Sequence, residues 1–164
     1  MPALATAPVA TENIQLTQTR IVRAPRARVY EAWTKPEIME QWFGSPTMVC
    51  TSVTLDVRVG GDYRVEAVRK EANAVTAEDI CAGRSFNAVV GSYTKVVPNE
   101  LLQFTWTPAW NPEEQSLVTV SLKDAPGGTE ITILHEKFAN EASRDAHNNG
   151  WAFALGNIEK VVVG

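Results

Sequence analysis

The long run of period-two spacing that gives way to one helical stripe at the end of this chain constrains the fold more than any other feature. From residue 48 to 136 apolar residues recur at every second position. Val49, Thr51, Val53, Leu55 and Val57 form one such face, opposite Ser52, Asp56 and Arg58. Tyr63, Val65 and Ala67 form the next, followed by Leu102, Phe104 and Trp106, by Val118, Val120 and Leu122, and by Ile131, Ile133 and His135. A period of two marks strands with one buried face. From Asn140 the spacing turns helical: Trp151, Leu155, Ile158 and Val162 step by four, three and four and draw one apolar stripe. A helix over 140–163 is about 35 Å long at about 1.5 Å per residue, enough to cross a whole sheet. The predicted fold is α+β: a curved antiparallel sheet of six to seven strands gripping one long C-terminal helix.

The remaining segments fit this scheme. Ile14 to Val22 alternates and predicts a first strand. Ala24-Pro25 opens a helix, with Pro25 in its first turn, where the missing N–H costs nothing. Val29 and Trp33 share a face of it. Lys35-Pro36 ends that helix, and Pro36 starts a second short one carrying Met39, Trp42 and Phe43 inward until Gly44-Ser45-Pro46. Gly60-Gly61 reads as a hairpin corner that needs positive φ. Pro98-Asn99, Pro108 to Pro112 and Pro126-Gly127-Gly128 separate later strands. Lys70 to Arg84, polar and Ala-rich, reads as a long hairpin loop. Asn140 is the expected N-cap of the last helix, with Glu141 and Asp145 near its positive end. Residues 1–12, rich in Ala, Pro and Thr, lack the basic and apolar regions of a secretory signal and read as a flexible tail. Residues 13–164 then form a single domain.

Composition excludes several function classes. The chain has 164 residues, 45% of them apolar and 21% charged, as one sizeable core requires. A net charge of −4 argues against nucleic-acid partners, which demand clustered Lys and Arg. No apolar run approaches the about 20 residues of a membrane span, and no cationic amphipathic helix points to a membrane surface. Cys50 and Cys81 fit a reducing cytoplasmic setting. With two histidines, no Cys-x-x-Cys and no second His at helical spacing from His135, no metal site is expected. Gly-x-Ser-x-Gly, Walker and Gly-x-Gly-x-x-Gly sequences are missing, so neither a nucleophile elbow nor a nucleotide cofactor is indicated. Arg64 and Glu66 share a polar strand face and read as a surface pair.

What remains is the aromatic content. Between a curved sheet and a helix lying across it a cavity is expected, apolar with a few polar groups, the usual form of a small-molecule site. Trp42, Phe43, Tyr63, Phe104, Trp106, Trp151 and Leu155 are placed to line or gate it, whereas Trp33 reads as core filling. His135 continues the inward face of Ile131 and Ile133. It serves there either as a donor or acid–base group toward a ligand, or as a core imidazole satisfied by the protein itself. His147 and Gly150 lie three apart on the last helix. A glycine inside a helix implies close approach of another backbone or a ligand, which His147 either caps or leaves for a bond to a strand end.

Four segments resemble a known family. They are Ala24-Pro25-Arg26-Ala27-Arg28-Val29-Tyr30-Glu31-Ala32-Trp33-Thr34 with Pro36-Glu37 and Gln41-Trp42-Phe43-Gly44; Leu55-Asp56-Val57-Arg58-Val59-Gly60-Gly61-Asp62-Tyr63; Gly91-Ser92-Tyr93 with Val97-Pro98-Asn99-Glu100-Leu101-Leu102-Gln103-Phe104-Thr105-Trp106; and His147-Asn148-Asn149-Gly150-Trp151. Their order resembles the START-like helix-grip superfamily, also called SRPBCC or birch-pollen-allergen-like. Within it they are similar to the family named after the C-terminal domain of the activator of the heat-shock protein 90 ATPase. The resemblance implies a cavity that binds a small, largely apolar molecule in a monomer or homodimer. Two alternatives stay open: a chaperone-associated, stress-response interaction protein, and an enzyme of the polyketide cyclase or hydrolase kind using His135. Lys70 to Arg84 is longer and more polar than the family's turn, and the chain ends at Val161-Val162-Val163-Gly164 without a polar tail.

Overall fold

Two prolines shape the first third of the fold. The structure, a computed structural model, describes residues 13–45, 48–69, 86–108 and 113–163. The expected tail, the Lys70–Arg84 loop, Cys81 and Trp110 lie outside these residues. Strand β1 (Leu16–Val22) leads into α1 (Arg26–Thr34) and α2 (Pro36–Trp42). Pro25 is the N-cap of α1 rather than part of its first turn. Lys35, ahead of Pro36, is extended at φ −110° and ψ 118° and separates the helices, because the proline ring excludes the helical region for its predecessor. Val29, Ala32 and Trp33 of α1 and Ile38, Met39 and Trp42 of α2 are buried.

The sheet follows as β2 (Gly44–Ser45), β3 (Met48–Leu55), β4 (Asp62–Arg69), β5 (Phe86–Val97), β6 (Leu101–Pro108), β7 (Ser116–Ala125) and β8 (Gly128–Glu136). Every pairing is antiparallel, in the order β1-β8-β7-β6-β5-β4-β3-β2. Seven full strands curl into a half-barrel, as expected of a helix-grip fold, and the two-residue β2 is an addition the pattern does not announce. Helix α3 (Glu141–Val163) lies in the curl, packed on β1, α1 and α2. Asn140 caps it, its Oδ1 accepting the Ser143 N–H at 2.8 Å. Its Trp151, Leu155, Ile158 and Val162 are all buried, as the stripe requires. Arg20 of β1 pins its outer side through Glu159 at 2.7 Å, and that guanidinium, with Arg23, holds the Glu159 carboxyl below its ordinary range. Among the described residues no helix is long and apolar enough to cross a membrane.

One strand departs from its predicted face. The register of β3 shifts between Cys50 and Ser52, and a bulge there inverts the alternation. Val53 and Leu55 point inward as expected, but Cys50 takes the inner side and Val49 is 43% exposed. The Gly60-Gly61 corner is as read. Gly60 has φ +87°, and a Cβ on Gly61 would sit 2.0 Å from the Asp56 carbonyl oxygen.

Gly150 is the opposite case. A Cβ built there meets nothing within 4 Å among the described residues. The expected approach of another backbone is not made by the described residues, and against them the glycine costs the helix stability without filling a contact. Gly150→Ala is therefore expected to stabilise the chain by about 1 kcal/mol, read as a higher urea midpoint at unchanged slope. A lower midpoint would show that the position needs the missing side chain.

Candidate functional site

Alternation along the central strands builds the inner wall of a cleft. Leu55 of β3, Tyr63 and Val65 of β4, Tyr93 of β5, and Phe104 and Trp106 of β6 face the concave side. Trp33 of α1, Met39 and Trp42 of α2, Phe43 just beyond it, and Trp151 of α3 close the space from the other side. The rings meet tilted or edge-on, Trp33 and Trp42 at 4.7 Å, Trp106 and Trp151 at 5.2 Å, Tyr63 and Phe104 at 5.4 Å, the arrangements aromatic quadrupoles prefer. The space left is about 20 Å³, hardly more than the about 10–15 Å³ one water needs. The cavity expected between sheet and helix is here a small void, nearly filled by its own walls. Phe43 is the half-buried aromatic of the lining; the other aromatic rings are buried.

Several polar atoms in this wall are committed to partners within the protein. Trp42 Nε1 donates to the Ala32 carbonyl at 2.7 Å, and the Tyr63 hydroxyl donates to the Thr105 carbonyl at 2.6 Å. Burial pushes the Tyr63 phenol well above its ordinary pKa, with Tyr93 adding to the effect. Trp33 Nε1 is buried and has no partner among the described residues.

Behind Trp106 and Trp151 runs a hydrogen-bond chain whose direction can be read from atoms with a fixed role. An indole N–H only donates, so Trp151 Nε1, 3.0 Å from His135 Nδ1, makes that nitrogen an acceptor. The proton of neutral His135 then sits on Nε2 and is donated to Ser116 Oγ at 2.7 Å. Ser116 in turn donates to the Trp106 carbonyl at 3.2 Å. Trp106 Nε1 donates to His147 Nε2 at 3.2 Å, and His147 Nδ1 donates to the Ser143 carbonyl at 2.8 Å. The chain ties α3 to β6, β7 and β8. His135 is fully buried, and burial, assisted by the neighbouring His147, lowers its pKa to about 2. Ser116 and His135 resemble a nucleophile–base pair only in distance. The nitrogen facing Ser116 already carries the proton and cannot accept another.

Of the residues singled out from sequence, Trp42, Phe43, Tyr63, Phe104, Trp106 and Trp151 meet in the cleft wall. His135 and His147 stand behind it in the polar chain, and Leu155 is buried in the core away from the lining. Trp33, Met39, Leu55, Val65 and Tyr93 belong to the wall without being among those candidates. For Trp33 the helical spacing from Val29 correctly signals burial, but the core of this fold and the wall of its cleft are the same surface. Arg64 and Glu66 do pair on the outer face. That face carries a larger open depression, about 600 Å³, over Asp62, Arg64, Ser92, Thr105 and Thr107. Within it Ser92 donates through Oγ to Asp62 at 2.7 Å and through its N–H to Thr105 Oγ1 at 2.9 Å. Among the described residues no cluster of His, Cys, Asp and Glu could hold a metal ion.

The model of one protein family, described as Activator of Hsp90 ATPase homolog 1-like protein, matches residues 23–163. The chain belongs to this family. Solved structures share the family's architecture over nearly the whole chain. A Chromobacterium violaceum protein is 25% identical, covers 90% of this chain and 96% of its own, and superposes with a TM-score of 0.75. The solution structure of an AHSA1-like protein from Aeromonas hydrophila is 20% identical, covers 91% and 92%, and scores 0.69. A protein of unknown function from Staphylococcus aureus is 22% identical, covers 94% and 96%, and scores 0.71. No curated protein matches the sequence. For this Hsp90-activator-like chain the comparisons establish family and fold, and the chemistry must be argued from the cleft.

Proposed function

We infer that this chain binds a small, largely apolar molecule between α2 and the concave face of the sheet, the cleft being closed when empty. The observation that carries this reading is the lining itself: eleven apolar or aromatic residues around a residual void, with Phe43, half-buried, over Trp42 and Trp106 at 5.8 and 6.2 Å. Phe43 is the C-cap of α2 and has left the helix, at φ −72° and ψ 135°. Its ring can turn outward without breaking a helical hydrogen bond, and the space it vacates adjoins the void. A ligand that replaces the ring restores the dispersion attraction that opening gives up. Its apparent affinity is reduced by the fraction of molecules that are open.

Native mass spectrometry of gently purified protein, followed by denaturing extraction, tests this. The expected result is an added mass of a few hundred daltons, released on denaturation. Phe43→Ala, which removes the closing ring, should retain more of it. A bare chain mass for both proteins, even after incubation with indane, would overturn the reading.

A further inference from the structure

We propose that the molecule taken up by the cleft carries one neutral hydrogen-bond acceptor, a carbonyl or ether oxygen on an otherwise apolar skeleton, and that the Trp33 indole N–H donates to it. This rests on the reading of the cleft as a ligand site and names the class of ligand.

Four tryptophans lie within the described residues, and three have their N–H satisfied by protein: Trp42 by the Ala32 carbonyl, Trp106 by His147, Trp151 by His135. Trp33 is only 2% exposed, and its Nε1 is the one buried side-chain nitrogen or oxygen, among the described residues, without a partner. Such a donor costs about 1–3 kcal/mol to leave unpaired, so buried polar groups without partners are rare. Trp33 is a wall residue of the void, so the side chain that carries the unpaired donor borders the unfilled space.

The rest of the lining narrows the chemistry. It contains no Lys, Arg or His, so a carboxylate would be buried without a counter-charge, which is far costlier than a neutral oxygen. An alcohol would bring a hydrogen of its own, for which the lining offers only the oxygens of Tyr63 and Tyr93, weaker acceptors than a carboxylate or amide. A ketone, ester or ether brings an acceptor and nothing else, and complements the Trp33 N–H.

The test uses the full chain with ¹⁵N-labelled tryptophan indoles and two probes of one skeleton, indane and 1-indanone. The Trp33 signal is assigned by its loss in Trp33→Phe. We expect both probes to bind, 1-indanone about tenfold tighter, with the Trp33 N–H resonance moving downfield for the ketone alone. In Trp33→Phe the preference of the ketone over indane should vanish, whatever the truncated ring does to the affinity for indane itself. Should the variant misfold, the downfield shift in the unaltered chain decides alone. Equal affinities with an unmoved Trp33 signal would overturn the proposal and leave the cleft reading standing. Failure of both probes to bind would overturn both readings.

Discussion

Lowering the pH from 7 to 5 should cost the folded chain about 2 kcal/mol through His135 alone. The sign follows from where the proton goes. In the unfolded chain the imidazole takes a proton near its ordinary pKa of 6.5, whereas in the folded chain burial and the nearby His147 hold that value down to about 2. Above pH 6.5 both states are neutral at this site and nothing is lost. As pH falls from 6.5 toward 2, only the unfolded chain gains the proton, so stability falls by up to about 1.4 kcal/mol per pH unit. The geometry explains the resistance. Protonation would force Nδ1 to face the Trp151 N–H, a donor against a donor, in a pocket without a carboxylate hydrogen-bonded to the ring. Urea denaturation at pH 7, 6 and 5 measures the effect. His135→Leu should be less stable at pH 7, because Trp151 Nε1 loses its acceptor, yet its stability should depend less on pH by that amount. Parallel pH curves for the two proteins would contradict a neutral buried imidazole. Direct titration of the His135 ring by NMR in the unaltered chain gives the same answer without the variant: it should stay neutral to pH 4.

Trp42→Ala should be the costliest single truncation around the cleft, about 3–5 kcal/mol. Trp42 is 1% exposed and touches Trp33 on one side and Phe43 on the other. Its N–H also satisfies the carbonyl of Ala32, one of the last four in α1 and so without a partner inside that helix. Removing the indole therefore leaves a hole beside an existing void, and orphans a carbonyl at the joint between two short helices that depend on each other. Trp42→Phe keeps most of the ring and loses the hydrogen bond, so it should cost less. The midpoint of urea unfolding should fall for both, in that order, at nearly unchanged slope. A loss below about 1 kcal/mol for Trp42→Ala would mean that α2 collapses into the gap, and that its packing does not hold the cleft shut.

How much of this can be read from the chain depends on whether a residue's role is set by local periodicity or by what lies across from it. Tyr63, Val65, Leu102, Phe104 and Trp106 fall on the expected face because alternation is a property of their own strands. The α3 stripe is equally plain. Val49 falls on the other face because a bulge changes the phase of a strand without any Gly or Pro to announce it. The polar chain is beyond reach. His135 can be seen to point inward, but its partners Ser116, Trp151 and, through Trp106, His147 come from other elements, and only their meeting fixes its tautomer. Gly150 misleads for a related reason: a helical glycine has the same spacing whether something approaches it or nothing does. Trp33 is legible as buried and illegible as unpaired, since a missing partner is a fact about every neighbour at once.

The central claim, that a small apolar molecule enters the aromatic cleft, is tested most directly by intermolecular NOEs between unlabelled indane and the ¹³C-labelled chain. The account predicts NOEs from the probe to Phe104, Tyr63 and Trp151, side chains that are buried and face the void, with Phe43 shifting as its ring turns out. NOEs confined to the exposed Ile21, Val59 and Val163, with the buried rings unperturbed, would show that the cleft is only a packed core.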